Sequence, residues 1–287
     1  MFKVLVSEPI VPNIQLLTIE APSIAEKALP GQFVVAVADE NGERIPLSLA
    51  DWDSAQGTVT LLVTQVGTSS RKLASLRAGD SVAHLAGPLG IPSHIEKFGT
   101  VVCVGGCYGI GAILPIARAL KHSGNKVISI IEARSKNLLY WQDKLTRASD
   151  ELILTAGDAS AEYKGWGYDP LKKLLGKKKK ISRVYAIGCT FMMKLISDTT
   201  KPYKIKTLVA LNPIMVDATG MCGVCRVSVG GETKFACVDG PEFDGHEVDW
   251  DILASRKTTY LEEEIRSLQQ YECQQWYVEK NKTLVKR

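Results

Sequence analysis

Apolar residues in the first third of the chain fall into short runs, 2–6, 14–19, 32–37, 58–63 and 81–85, each bounded by polar or turn-forming residues. Pro30-Gly31, Asn41-Gly42 and Ala78-Gly79-Asp80 punctuate them, and such residues favour tight turns over continued strand. Short, regularly spaced strands of this kind predict a small antiparallel β-barrel over residues 1–98.

From residue 100 the pattern changes. Run 101–104 is apolar throughout and 127–131 is apolar but for Ser129, and they alternate with stretches 114–121 and 138–147 of helical spacing. A strand apolar on both faces is covered on both, as when helices flank a parallel sheet. Runs 152–155, 184–187 and 207–210 continue the alternation, so an α/β domain with a parallel sheet is expected over 99–211. The segment 212–250 reads as a separate cysteine-bearing piece, and 251–287 as a charged, helix-patterned tail with Glu262–Glu264 and Trp276.

Composition narrows the class. The chain has 287 residues, 45% hydrophobic and 23% charged, with a formal net charge of +4, the make-up of a water-soluble protein of two domains or more. No run of eighteen apolar residues is present and the opening Met-Phe-Lys-Val-Leu-Val lacks a signal-peptide core, so a cytoplasmic location without membrane attachment is expected. Seven cysteines, 103, 107, 189, 222, 225, 237 and 273, are too few and too scattered for a disulfide scaffold. The basic run Lys177–Lys180 reads as a solvated loop, and no nucleic-acid partner is expected. Repeats and low-complexity tracts are absent.

The candidate chemistry is densest at Asp217-Ala-Thr-Gly-Met-Cys222-Gly-Val-Cys225, followed by Cys237. With aspartate in place of the first cysteine, the spacing is that of C-x4-C-x2-C…C ligation of a [2Fe–2S] cluster. Gly223 lets the backbone fold beneath Cys222 and Cys225 so that both thiolates face one site. Structural zinc is the alternative, although zinc sites usually pair two short knuckles and only one is present here. Asp217, Cys222, Cys225 and Cys237 are the expected metal ligands, with Asp239 and Cys273 as other donors for the fourth position.

Three further segments carry phosphate- or ring-binding chemistry. Arg44-Ile-Pro46-Leu47-Ser48-Leu49 offers a guanidinium fork for a pyrophosphate and a hydroxyl for a flavin edge. Gly67-Thr68-Ser69 ends a strand and opens a helix, a start rich in amides and hydroxyls that suits phosphate, and Gly87-Pro-Leu-Gly90 would admit a flat ring. The run 101–104 leads directly into Gly105-Gly106-Cys107-Tyr108-Gly109 and a helix with Pro115, the arrangement that brings backbone to a dinucleotide pyrophosphate. Glu132, at the end of the next strand, suits a ribose 2′-hydroxyl; Arg134 suits a 2′-phosphate, so the residues alone leave NADH and NADPH both open.

Taken in order, Arg-x-Pro-x-Ser, Gly-Thr-Ser, Gly-Pro-Leu-Gly and Gly-Gly-x-x-Gly resemble the ferredoxin–NADP reductase superfamily. With the cysteine segment added, the chain resembles electron-transfer subunits of dihydroorotate dehydrogenase. Asn212-Pro-Ile-Met-Val-Asp217 through Cys225, and Phe235-Ala-Cys237 through Phe243, are similar to the small subunit of NADH-dependent reduced ferredoxin:NADP oxidoreductase, an electron-bifurcating enzyme. The resemblance implies FAD, NAD(H) and a [2Fe–2S] cluster, the last on Asp217 and three cysteines. Arg44 would contact the FAD pyrophosphate, Ser48 would lie near the flavin N5 edge, and Gly67, Thr68 and Ser69 would hold phosphate. Gly105, Gly106 and Gly109 would receive the NAD(H) pyrophosphate. Two departures fall at the nicotinamide end: Cys107 replaces a third glycine, and Ile187-Gly188-Cys189 replaces Cys-Gly-Pro, leaving Cys189 either a pocket-lining or a buried thiol.

Nicotinamides exchange electron pairs, iron–sulfur clusters single electrons, and flavins both, so no catalytic side chain is expected. With no second cysteine motif in the chain, electrons at the cluster must pass to another polypeptide. The resemblance implies a heterodimer with a larger iron–sulfur flavoprotein subunit, and ferredoxin reached through it. A partner of the dihydroorotate dehydrogenase, hydrogenase or sulfide/polysulfide reductase type is the enzymatic alternative, and a non-catalytic redox sensor the other.

Overall fold

The computed structural model describes residues 1–177 and 180–284, so Lys178 and Lys179 of the basic run lie outside the described residues. The first turn signals delimit seven strands: β1 (Phe2–Val11), β2 (Ile14–Glu20), β3 (Phe33–Val37), β4 (Ile45–Asp53), β5 (Thr58–Thr64), β6 (Ser81–Val82) and β7 (His84–Leu89). Two helices intervene, α1 (Pro22–Ala25) and α2 (Thr68–Ser75). All pairings are antiparallel, in the order β6-β1-β2-β5-β4-β3-β7. The two ends of that order are consecutive in the chain with only Ala83 between them, so the sheet curls into a nearly closed barrel. The sequence run 81–85 is therefore two strands. Leu17, Ile19, Leu49, Leu61 and Val63 fill the interior, each contributing about 1.5–3 kcal/mol by leaving water.

The second half alternates strand and helix: β8 (Thr100–Gly106), α3 (Gly109–His122), β9 (Lys126–Ala133), α4 (Gln142–Ala148), β10 (Glu151–Ala156), β11 (Tyr163–Lys164), α5 (Tyr168–Gly176), β12 (Ile181–Ile187), α6 (Thr190–Thr200) and β13 (Lys206–Ala210). The sheet order is β11-β10-β9-β8-β12-β13, parallel throughout, extended at its edge by an antiparallel strand from the cysteine segment. From β8 the chain winds outward to β11, then crosses back to place β12 on the other side of β8. Ligands of open parallel sheets bind at such a reversal, beyond the carboxyl ends of the strands. Here those ends carry Gly105-Gly106 and Gly188-Cys189.

Side chains alternate between two cores. Val101, Cys103, Tyr185 and Ile187 pack with α3, α4 and the barrel residues Ile14, Leu16 and Leu62. Val102, Val104, Val184 and Ala186 pack on the opposite face with α5 and α6. The second core also takes in Cys225, Cys237 and Phe243. After β13 come β14 (Arg226–Val229), β15 (Glu232–Phe235), β16 (Glu242–Asp244), α7 (Trp250–Lys257) and α8 (Leu261–Leu284). β14 and β15 form a hairpin, and β16 is the added edge strand, pairing Phe243 with Val209. The cysteine segment is thereby built into the sheet and its core.

Candidate functional site

The four expected metal donors come together in two pairs. Cys225 and Cys237, both buried, have their Sγ atoms 3.2 Å apart. Asp217 accepts the Thr219 N–H at 3.0 Å through Oδ1 and the Cys222 N–H at 2.8 Å through Oδ2. Positive φ angles at Ala218 (59°), Gly220 (83°) and Gly223 (67°) curl this loop and turn its amides inward. The Thr219 amide, with Cys222, holds the Asp217 carboxyl below its usual range, so it is an anion. Burial pushes the Cys237 thiol up to about 12, with the neighbouring Cys225 acting in the same direction. Metal binding there displaces a proton.

Asp217 beside Cys222 and Cys225 beside Cys237 make two pairs of candidate donors, the division that a two-iron cluster uses. Two thiolates on one tetrahedral metal stand about 3.8 Å apart. Cys225 and Cys237 reach that by moving only a fraction of an ångström. Of the alternative donors, Asp239 is tied to the Phe235 N–H at 2.6 Å. Cys273 lies on α8, next to Glu272, which pairs with Arg71 of α2 at 2.6 Å.

The expected flavin residues surround an opening in the barrel. β4 pairs with β3 through Ile45–Ser48 but with β5 only from Leu49 onward, at a bulge around Ala50. β5 beyond Leu61 pairs with β2 alone, so β4 and β5 diverge there. Arg44 is exposed just before β4, Pro46 and Leu47 are half-buried, and Ser48 is exposed. Leu49 turns the other way, into the barrel core. On the β5 side the opening leads to Gly67 at the start of α2, where a Cβ would meet nothing within 4 Å. Thr68 and Ser69 follow with the amides that any helix start leaves free. Ser70 Oγ accepts the N–H groups of Val66 and Gly67, each at 3.0 Å, and fixes the turn.

Beside the opening stands a residue that belongs to no motif. Thr64 Oγ1, at the end of β5, is buried with no hydrogen-bond partner. Such an orphan is free to take a partner from outside the chain. Gly87 and Gly90 face the protein instead: a Cβ at Gly87 would press on Val34, and one at Gly90 on Phe33 and Pro241. Their glycines serve packing against β3 and against the turn that follows Cys237.

At the sheet reversal, the glycines allow close packing of strand and helix. A Cβ on Gly109 would collide with the Ile187 carbonyl, and one on Gly105 with Ile113 of α3. Gly106 and Gly188 both abut the Met192 thioether. Tyr108 donates its phenol to the Gly188 carbonyl at 2.6 Å and accepts from Asn212 Nδ2 at 2.7 Å. Asn212 Oδ1 accepts from Thr190 Oγ1 at 3.0 Å, and Thr190 accepts from Lys257 Nζ at 3.1 Å. Burial raises the Tyr108 phenol and lowers the Lys257 ammonium from their usual values. Cys107 (φ 55°) and Cys189, which caps α6, are both exposed beside this chain of hydrogen bonds.

Glu132 is not presented to a ribose. β9 runs one residue past it to Ala133, and its carboxylate lies buried against Gly106, accepting the Gly167 N–H at 2.6 Å. Burial pushes it up to about 7. The exposed acid at the strand ends is Asp158, just after β10, which accepts the Ser160 N–H at 3.0 Å and lies opposite the exposed Arg134 strand end, whose carbonyl takes the Asp158 N–H at 3.0 Å. Hydrogen bonds from Ser160 and Ser135 hold the Asp158 carboxyl below its usual range. Trp166 packs over Gly157 beside it.

A nearly closed barrel, a parallel sheet with an open reversal point and a thiolate loop on its edge define an electron-transfer flavoprotein of ferredoxin–NADP reductase type. Residues 212–249 match the iron–sulfur cluster binding domain of dihydroorotate dehydrogenase B. A Thermotoga maritima protein named as a homologue of the dihydroorotate dehydrogenase B (NAD(+)) electron transfer subunit is 45% identical over 253 residues, 88% of this chain and 89% of that protein. A Clostridium beijerinckii protein known from the adh 3′ region is 45% identical over 272 residues, 92% of each chain. A solved structure of an NADH-dependent reduced ferredoxin-NADP oxidoreductase, studied for flavin-based electron bifurcation, superposes with a TM-score of 0.89 at 42% identity, covering 94% of this chain and 98% of that one. The chain belongs to the family of dihydroorotate dehydrogenase B electron-transfer subunits and their homologues.

Proposed function

We propose that this chain is a flavoprotein iron–sulfur subunit that passes electrons between NAD(H), FAD and a [2Fe–2S] cluster, to or from a partner subunit. The observation that carries the reading is the two-by-two approach of Asp217 with Cys222 and Cys225 with Cys237, on a loop built into the same sheet as the nucleotide-binding turns. When bound, the flavin and cluster supply the conversion between paired and single electrons. The chain's own residues bind, orient and insulate.

Arg44 clamps the FAD pyrophosphate, with the α2 start at Gly67, Thr68 and Ser69 as the second phosphate contact. Ser48 and Thr64 offer hydroxyls from the two sides of the β4–β5 opening. The turns Gly105–Gly109 and Gly188–Cys189 form the nicotinamide cleft, held in shape by Tyr108. At the ribose end Asp158 takes the place expected for Glu132, an arrangement favouring NADH. Glu132 braces the cleft floor from below.

The chain divides in this reading into a FAD-binding barrel (1–98), an NAD-binding domain (99–211), a cluster segment (212–250) and a tail from 251. Membership of a family of electron-transfer subunits supports a larger partner. Its proposed form is a heterodimer with an iron–sulfur flavoprotein that exchanges electrons with ferredoxin in electron bifurcation; the 42% identity to the oxidoreductase chain supports this choice. The T. maritima homologue's name favours a second reading, the same electron delivery to a dihydroorotate dehydrogenase. Co-purification of the native complex with cofactor analysis decides between them: a partner carrying [4Fe–4S] centres supports the first, and a partner oxidising dihydroorotate the second. Among the described residues no helix is long and apolar enough to cross a membrane.

A further inference from the structure

Helix α7 packs against the β14 strand that leaves the ligand loop, and its Asp249 cap fixes the helix start by accepting the Ile252 N–H at 2.9 Å. From the penultimate position of the helix, Arg256 reaches back under the loop. Its Nη2 donates to the Val224 carbonyl at 3.0 Å, the peptide immediately before Cys225. Arg256 Nε is buried and has no hydrogen-bond partner. The guanidinium also has no carboxylate partner among the described residues.

A buried donor left unsatisfied costs on the order of 1–3 kcal/mol, and more when it carries charge. Orphans of this kind are rare and call for an acceptor. The peptide that Arg256 grips carries one of the thiolates, so the acceptors that arrive when a cluster assembles are thiolate and sulfide sulfurs. Both are anionic, and a guanidinium donor to them makes a charge-assisted bond.

We infer that Arg256 donates a hydrogen bond to the sulfur shell of the [2Fe–2S] cluster at Cys225 and thereby raises its reduction potential. The inference rests on the cluster reading of the loop. Reduction adds one negative charge to the cluster, so a half-buried cation with a buried N–H donor stabilises the reduced form more than the oxidised form. Arg256 lies outside the matched segment 212–249, and no motif in the sequence marks it. Arg226 makes a useful contrast: it donates to the Gly223 carbonyl at 3.1 Å from an exposed position, where solvent screens its charge.

The test is an anaerobic redox titration of the cofactor-loaded full chain, followed by EPR of the reduced cluster. Arg256→Met is expected to lower the reduced-to-oxidised ratio at the wild-type midpoint about tenfold, equivalent to about 59 mV for one electron. Arg256→Lys keeps the charge but loses Nε, and should fall between the two. Arg226→Met should stay close to wild type. If Arg256 only props the loop, cluster content falls while the clusters that remain titrate at the wild-type midpoint, and that result overturns the inference. So does an unshifted midpoint in both Arg256 variants. A wild-type protein that shows no [2Fe–2S] signal at all would instead refute the cluster reading on which the inference stands.

Discussion

The Sγ atoms of Cys225 and Cys237 meet at 3.2 Å across a hairpin, both inside the core shared with α5 and α6, while Cys222 is exposed. One end of the ligand set is therefore buried and rigid. The other, Asp217 with Cys222, faces outward between the exposed side chains of Val216 and Met221.

As the proposed fourth ligand, Asp217 would set the outer iron's electronics. A carboxylate is harder and shares less charge than thiolate. Asp217→Cys should retain a [2Fe–2S] cluster with an altered EPR signal and a lower reduction potential, whereas Asp217→Ala should make the cluster labile. An unaltered spectrum and potential in both variants would move the fourth ligand elsewhere.

Arg44→Ala should leave the fold and cluster intact while FAD is lost on gel filtration. Removing one charge-assisted contact to pyrophosphate weakens binding by about tenfold to a hundredfold. Thr64→Val should weaken FAD retention without lowering thermal stability of the flavin-free chain, because Thr64 Oγ1 has no protein partner to lose. Full flavin occupancy in both variants would contradict the assignment.

Much of this architecture was visible in the chain. The turn residues between short apolar runs marked the barrel strands, and the runs apolar on both faces marked the parallel sheet. What escaped depended on tertiary placement. Glu132 looked like a strand-end acid, but its burial is decided by Gly167, thirty-five positions later in the chain. Thr64 and Arg256 carry no motif, and only their lack of partners singles them out. α5 and α6 are short helices between strands whose apolar spacing does not set them apart, and β16 needs β13 as its neighbour before it is a strand at all. The glycines of the motifs were legible as positions but not as roles: Gly87 and Gly90 turned out to face protein.

Asp158→Ala should shift nicotinamide preference. Without its carboxylate, the strand ends keep the exposed Arg134 and Lys136, which favour a 2′-phosphate. The ratio of flavin reduction efficiency with NADPH to that with NADH should rise on the order of tenfold. A ratio unchanged from wild type would return the discrimination to another residue.

Glu242 gives the pH dependence. It lies half-buried between the barrel and the sheet, accepts a hydrogen bond from Ser93 Oγ at 2.6 Å, and is pushed up to about 7 by desolvation from an ordinary 4.5. The folded state then holds a proton that the unfolded chain has released, so stability falls as pH rises from about 4.5 to about 7, by about 3 kcal/mol in all. Glu132, also pushed up to about 7, adds a loss of the same sign. Glu242→Gln keeps an acceptor for Ser93 and removes the titration. Its melting temperature should gain on wild type between pH 5 and pH 8; an equal offset at both ends would refute the assignment.

The central claim is that nicotinamide, flavin and cluster share one electron path in this chain. Anaerobic titration of the cofactor-loaded protein with NADH, followed by visible absorption and low-temperature EPR with metal analysis, tests it most directly. Two irons per chain, bleaching of the flavin, and a reduced [2Fe–2S] signal that appears with it are expected. Zinc in place of iron, or a flavin that NADH reduces while the cluster stays oxidised at every potential reached by dithionite, would contradict it.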